Sequence, residues 1–350
     1  MRTTLLCLLT VCIAASASGA ENSEDRQRRI DAVLAGNFKW TVGPPLVGAA
    51  KGSRDTYYSV KDPTFVQDGD DWHLFCTVRG LKRSHQIEYL AFADWKNATN
   101  ARRQFMALSD GYYCAPQVFY FRPHRKWYMI LQVPEPTGGP VLAAAFSTTD
   151  DVSDLGSWTK PVPLYEKHPE NVKAWIDFWV ICDDRRAHLF FTSNNGLMWR
   201  ASTKLSDFPR GWDEPRVVLK GDVFEASCTY TLKGLDRYLT IIEAEAHDKP
   251  DGWRYYKAYL ADRLDGEWKP IADTWDKPFA GPTNVSFPGG KKWTDSISHG
   301  ELVRSSNDER LEVDPADLRF VFQGVLEGER RGKKYGEIPW RLGMLEQKDK

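Results

Sequence analysis

Apolar residues along this chain fall in short runs bounded by turn-forming residues. Trp72-His73-Leu74-Phe75, Trp127-Tyr128-Met129-Ile130-Leu131, His188-Leu189-Phe190-Phe191 and Tyr238-Leu239-Thr240-Ile241-Ile242 are rich in aromatic and branched side chains. Clusters of Gly, Pro, Asn and Asp separate them and helical periodicity is scarce, so the pattern predicts strands. Each run follows a lead segment: Asp62-Pro63-Thr64-Phe65, Ala115-Pro116-Gln117-Val118, Asp177-Phe178-Trp179-Val180 and Glu225-Ala226-Ser227-Cys228, with Asn284-Val285-Ser286-Phe287 as a fifth lead. Successive leads lie roughly 50 to 60 residues apart, the length that one four-stranded propeller blade requires. The repeat predicts an all-β chain folded as a five-bladed β-propeller. Each lead would form an innermost strand, and the last blade would close with Leu318–Gln323 or Arg341–Leu345.

The start of an innermost strand faces the central channel. At three leads the residue there is an acid: Asp62, Asp177 and Glu225. A carboxylate that caps a strand by accepting N–H bonds would explain one of them. Three at equivalent points of repeated units converge on one axis instead. One carboxylate to deprotonate water and one carboxylic acid to protonate a leaving oxygen are the requirements of glycoside hydrolysis.

Composition narrows the partners. Aromatic residues make up 13% of the 350, enough to pack blades face to face and to offer ring faces to a sugar. The formal charge is −1 and Lys82-Arg83, Arg102-Arg103 and Arg330-Arg331 are only short pairs. They read as solvated loop charges, which argues against nucleic acid. Arg2, the apolar stretch Leu5–Ala15 and the small residues Ser18-Gly19-Ala20 predict a signal peptide over residues 1–20 and a secreted or periplasmic protein. Residues 21–36 read as a linker or short helix, and residues 37–347 as one catalytic propeller domain. No later stretch reaches membrane-spanning length. Cys76, Cys114, Cys182 and Cys228 lie in or beside strands without zinc-site spacing. They read as buried thiols, with one bridge, such as Cys182 to Cys228, left open.

A series of segments, in order from about Phe38 to Leu345, resembles glycoside hydrolase family 62. They are Lys61-Asp62-Pro63, Ala115-Pro116-Gln117-Val118-Phe119-Tyr120-Phe121, Trp175-Ile176-Asp177-Phe178-Trp179-Val180, Phe224-Glu225-Ala226-Ser227, Ser298-His299-Gly300-Glu301 and Pro339-Trp340-Arg341-Leu342-Gly343. The resemblance implies an inverting, secreted α-L-arabinofuranosidase that trims arabinose side chains from arabinoxylan, a plant cell-wall polysaccharide. It implies Asp62 as general base, Glu225 as general acid, and an ionised Asp177 that keeps the proton on Glu225. Lys61 and Tyr335 would contact the sugar, and His299, with Gln117, would serve a structural calcium ion on the axis. By position, Asn195 tops the third blade, Trp95 could stack a xylose unit, and Arg341 could pair with an axial carboxylate or bond the sugar. Phe178, Tyr113-Cys114 and Pro282-Thr283 depart from the family's usual residues beside the pocket. The alternatives are a family 43-like propeller hydrolase acting on arabinan or xylosides, and a non-catalytic sugar-binding propeller. A monomer is expected.

Overall fold

The computed structural model describes residues 23–51, 55–135, 142–249 and 253–348. The expected signal peptide, residues 1–20, lies outside the described residues. Helix α1 (Ser23–Leu34) precedes the first strand, β1 (Trp40–Val42). The first blade is a meander of β2 (Tyr57–Asp68), β3 (Asp71–Gly80), β4 (Gln86–Phe92) and β5 (Arg103–Phe105). The second is β6 (Cys114–Phe121), β7 (Lys126–Pro134), β8 (Leu142–Thr149) and β9 (Val162–Pro163). The third follows as β10 (Ile176–Cys182), β11 (Arg186–Thr192), β12 (Leu197–Lys204) and β13 (Arg216–Lys220). In the fourth, β14 (Cys228–Leu232), β15 (Tyr238–Glu245), β16 (Arg254–Ala261) and β17 (Lys269–Ala272) are extended on the inner edge by β20 (Glu312–Val313).

The fifth blade corrects the sequence reading. Its innermost strand is β19 (Ser296–Leu302), followed outward by β21 (Arg319–Val325), β22 (Arg341–Gln347), β1 and β18 (Val285–Ser286). The fifth lead, Asn284–Phe287, therefore sits on the outer edge, parallel to β1. Asn284 holds it there, donating its Nδ2 to the carbonyls of Phe38, Pro278 and Phe279. Both predicted closing segments are strands of this blade, but the ring is closed by β1 pairing antiparallel with β22. Trp40 fixes that closure: its indole N–H donates to Phe279 O at 2.5 Å and its ring meets Phe279 edge-on.

The inner strands share a local distortion. Asp62, Ala115, Asp177 and Ala226 all have φ near +50°, and the pairing register shifts at Lys61/Thr64, Cys114/Gln117 and Ile176/Trp179, with a matching shift at Ser298/Gly300 in β19. A left-handed residue in a strand is costly unless its surroundings over-determine it. Here each freed N–H is caught by a buried side chain. Asp62 N–H donates to Gln323 Oε1 (3.0 Å), Ala115 N–H to Thr77 Oγ1 (2.8 Å), and Asp177 N–H to Gln132 Oε1 (2.7 Å). Ala226 N–H donates to Asp177 Oδ2 (3.0 Å) and His299 N–H to Glu243 Oε2 (2.8 Å). These bulges turn side chains toward the axis at one end of the channel.

The other end is crossed by residues 303–313, which pass the inner strands in turn. Arg304, ion-paired with Glu301 at 2.7 Å, donates to Phe65 O and Val118 O. Tyr120 N–H donates to Asn307 O, Cys182 N–H to Glu309 O, and β20 pairs with β14. The apolar core lies between blades, as where Trp179 meets Tyr230 edge-on and donates to Thr229 O. Cys76, Cys114, Cys182 and Cys228 are free and buried, so the bridge left open by the sequence does not form.

Candidate active site

Asp62, Asp177 and Glu225 meet at the bulged end of the channel, each less than 10% exposed. Asp62 and Asp177 occupy the repeated left-handed position, but in the fourth blade that position belongs to Ala226. Glu225 stands one residue earlier, so the sequence reading of three equivalent acids is off by one at this blade. The offset carries Glu225 toward β16, where Arg254 Nη1 lies 2.8 Å from Glu225 Oε1.

His299 ties two of the acids together: its Nδ1 is 3.2 Å from Asp62 Oδ1 and 3.7 Å from Asp177 Oδ2. Burial would raise the Asp62 carboxyl, but His299, then Lys61, then a hydrogen bond from Thr77 outweigh it and hold the group below its usual range. Asp62 is thus held as the carboxylate. Asp177 goes the other way, pushed well above the usual range by burial and then by the like charges of Glu225 and Asp62. The sequence reading had Asp177 ionised. In the folded protein burial and the crowding of acids raise it, and the Ala226 N–H and then Lys61 offset them only in part.

Lys61 is buried beside Asp62, with its ammonium 5.2 Å from the centre of the half-exposed Tyr335 ring. Burial alone would lower the Lys61 ammonium, and the neighbouring Tyr335, Asp62, Cys114 and Glu225 override it, so it stays charged. Tyr335 belongs to a stretch, residues 326–340, that leaves β21 and returns to β22 at the acid end. This stretch carries a short helix, α2 (Glu327–Arg330). His85 packs on Tyr112 with ring centres 4.8 Å apart; burial and then Lys61 push its imidazole down to about 3.

Other expected residues are placed differently. Asn195 is exposed in the turn between β11 and β12 at the acid end and accepts from Ser193 Oγ. Arg341 pairs with Glu329 of α2, donates to Trp293 O and lies over the Trp293 ring. It fastens the 326–340 stretch rather than an axial carboxylate, because β22 is the third strand from the axis. Trp95 is buried among Phe65, Trp72 and Phe92 in the turn after β4, at the far end of the blade from Asp62. It is a packing residue and cannot stack a sugar in this pocket. Gln117 spans two blades, donating to Val180 O (2.8 Å) and accepting from Val180 N–H (2.7 Å).

Below Asp177 is a small axial cavity lined by Gln117, Asp177, Ser227 and His299 among others, with room for about one water-sized occupant. Ser227 Oγ is buried and has no hydrogen-bond partner among the described residues. No cluster of three His, Cys, Asp or Glu side chains arranged for a metal occurs among the described residues. Gln117, Asp177, Ser227 and His299 bring one imidazole and a few oxygens to this cavity, fewer than the roughly six to eight oxygens that calcium takes, so most of the shell of any ion there would have to be water.

Sequence reasoning passed over two residues that complete the site. Glu243 of β15 is fully buried, and Arg254 of β16 is 3% exposed. Arg254 Nη1 touches Glu243 Oε1 as well as Glu225, and Nε lies 3.1 Å from Glu245 Oε1. Phe224 and Trp253 sandwich the guanidinium at 4.2 and 4.5 Å. Burial pushes Glu243 up to about 7, with Arg254 pulling it down and Glu225 adding to the rise. A charged residue inside the apolar run Ile241-Ile242-Glu243-Ala244 was the signal available.

Residues 39–346 match Glycosyl hydrolase family 62. The chain is 37% identical over 319 residues to Alpha-L-arabinofuranosidase C of Cellvibrio japonicus (strain Ueda107), covering 89% of this chain and 47% of that protein. It thus spans about half the length of that curated relative. Among solved structures, the catalytic domain of a Coprinopsis cinerea family 62 α-L-arabinofuranosidase is similar with TM-score 0.81 at 36% identity, covering 89% of this chain and 97% of that one. A Podospora anserina α-L-arabinofuranosidase in complex with cellotriose is similar with TM-score 0.81 at 35% identity, again covering 89% and 97%.

Proposed function

The chain belongs to glycosyl hydrolase family 62, and from that membership we propose that it is an inverting α-L-arabinofuranosidase releasing arabinose side chains from arabinoxylan. The observation that carries this reading is the unequal treatment of the acids in one buried pocket. Asp62 is held ionised by His299 and Lys61, while Glu225 and Asp177 crowd each other beside it. In the proposed step, Asp62 takes a proton from a water that attacks the anomeric carbon. Glu225 gives its proton to the glycosidic oxygen on the opposite face, and the bond to the xylan breaks. Lys61 and Tyr335 orient the furanose, and Asn195 offers a rim contact on the third blade.

A calcium ion on the axis is part of the proposal, with His299 and Gln117 as its protein donors. When bound, it would offset the charge of the converging carboxylates. Export, on the N-terminal reading of residues 1–20, and action as a monomer complete it. A non-catalytic sugar-binding role would leave three buried carboxyl groups as desolvation cost without use.

The test is a parallel digest of wheat arabinoxylan, arabinan and an aryl α-L-arabinofuranoside, followed by proton NMR. Free arabinose from arabinoxylan, appearing first as the β anomer, is expected, with Glu225→Gln inert on the polymer. The α anomer appearing first would rule out inversion. Preferential release from arabinan would move the substrate to that of the family 43-like reading.

A further inference from the structure

The run Arg330-Arg331-Gly332-Lys333-Lys334 places cations at all but one of its positions, in a chain whose formal charge is −1. It belongs to the 326–340 stretch and ends directly before Tyr335, so the fold lays it along the rim of the pocket. Toward the fourth blade, Arg330 lies over the Trp253 ring at 4.4 Å, the same ring that covers Arg254 beside Glu225. Toward the first blade, the Tyr335 ring meets the ammonium of Lys61, the neighbour of Asp62.

The first blade adds its own cations where β3 turns into β4. Arg79 packs on Gly336 so closely that a Cβ there would lie 2.9 Å from its Nε. Lys82 and Arg83 follow, their backbone N–H groups held by Asp55, with the Arg83 guanidinium bonded to Ser109 O and Gly111 O. The nearby carboxylates offset only part of this charge. Glu327 is engaged by Arg330 and Arg331, and Glu329 by Arg341. Asp55, Asp110 and Glu337 then stand against Arg79, Lys82, Arg83, Lys333 and Lys334, and both lysines of the run are exposed.

A charge run that serves only solvation needs no particular place on the surface, and this one borders the pocket. Arabinose and xylose are neutral, so neither sugar of the proposed substrate uses its charge. A uronic acid side group on the same xylan would, because its carboxylate is a fixed anion at neutral pH.

We propose that this cationic rim selects arabinoxylan that also carries uronic acid groups, with Lys333 and Lys334 drawing the carboxylates of the polymer toward the pocket. The inference rests on the reading of the pocket as one that removes arabinose from xylan. The rim lies outside the buried acids, so the attraction acts on binding and lowers KM without changing kcat. Salt screens exposed charges, over about 10 Å at 0.1 M and about 3 Å at 1 M, so the preference belongs to low ionic strength.

The experiment compares an arabinoxylan bearing glucuronic acid with the same material after chemical reduction of its carboxyl groups. At low salt, kcat/KM should be about three- to tenfold higher on the acidic polymer, with the difference in KM, and it should vanish at about 1 M sodium chloride. The double variant Lys333→Glu/Lys334→Glu should abolish or reverse the preference, and Lys333→Gln/Lys334→Gln should weaken it. Both should match the wild type on the reduced polymer. Equal kcat/KM on the two polymers at low salt overturns the inference and leaves the arabinofuranosidase reading intact. So does a preference that survives 1 M salt, or one that the charge-reversed variant retains. Release of arabinose from neither polymer overturns the reading itself. If the charge-reversed variant does not fold, an undiminished preference in Lys333→Gln/Lys334→Gln is the refuting result.

Discussion

Replacing Asp62 by Asn removes the proposed base with little other disturbance. The residue has φ +49°, a conformation that Asn adopts as readily as Asp. The Asp62 N–H to Gln323 (3.0 Å) therefore stays, and the volume is unchanged. Only charge is lost. His299 and Lys61 each lose one counter-charge, Lys61 keeping Tyr335 and Glu225 nearby, while Asp177 is relieved of one like charge. These effects oppose, so stability should change by less than about 2 kcal/mol, a shift of only a few degrees in melting temperature. The rate should fall by about 10²–10⁴, the usual worth of a positioned base, equivalent to about 3–5 kcal/mol of barrier. Initial rates of arabinose release, read alongside melting curves, separate the two quantities. The base acts on water, so the loss should be similar on arabinoxylan and on an aryl arabinofuranoside, unlike that of Glu225→Gln. Activity within tenfold of wild type would remove Asp62 from the role. A fall in melting temperature well beyond a few degrees would refute the balance of charges drawn here.

Three further outcomes follow from the same geometry. If calcium occupies the axis, a chelator should lower the melting temperature, because an ion bound only to the folded state stabilises it by mass action; His299→Ala should lose that sensitivity, and identical melting curves with and without chelator would refute the ion. Trp95→Ala should cost about 3–5 kcal/mol of stability by opening a cavity among Phe65, Trp72 and Phe92, with KM unchanged; a raised KM in a fully folded variant would return Trp95 to the substrate. Burial pushes Glu301 and Glu243 up to about 7 against the pull of Arg304 and Arg254, whereas unfolded glutamates ionise near ~4.3. The folded state then binds more protons across that window, so the melting temperature should fall from pH 4.5 to about 7 and level beyond; a flat or rising profile would contradict it.

Alternation and turn residues are local, so the repeat, the inner strands of four blades, and Asp62 and Asp177 on the axis were legible in the chain itself. Lys61 and His299, next to Asp62 in sequence or in space, were legible through a family resemblance. What stayed hidden depends on partners distant in sequence. The outer strands of the fifth blade join β1, near the N-terminus, to β18 and β22, more than two hundred residues later, and Asn284-Val285-Ser286 has the composition of an inner strand without its neighbours. A one-residue slip of register moves a side chain to another face, which is why Glu225 stands beside Arg254 and Ala226 takes the repeated position. Trp95 and Arg341 looked like ligand-binding residues until packing gave them protein partners: an aromatic cluster and Glu329. The ionisation order of the acids was likewise beyond the sequence, because burial and the distance to each neighbouring charge set it.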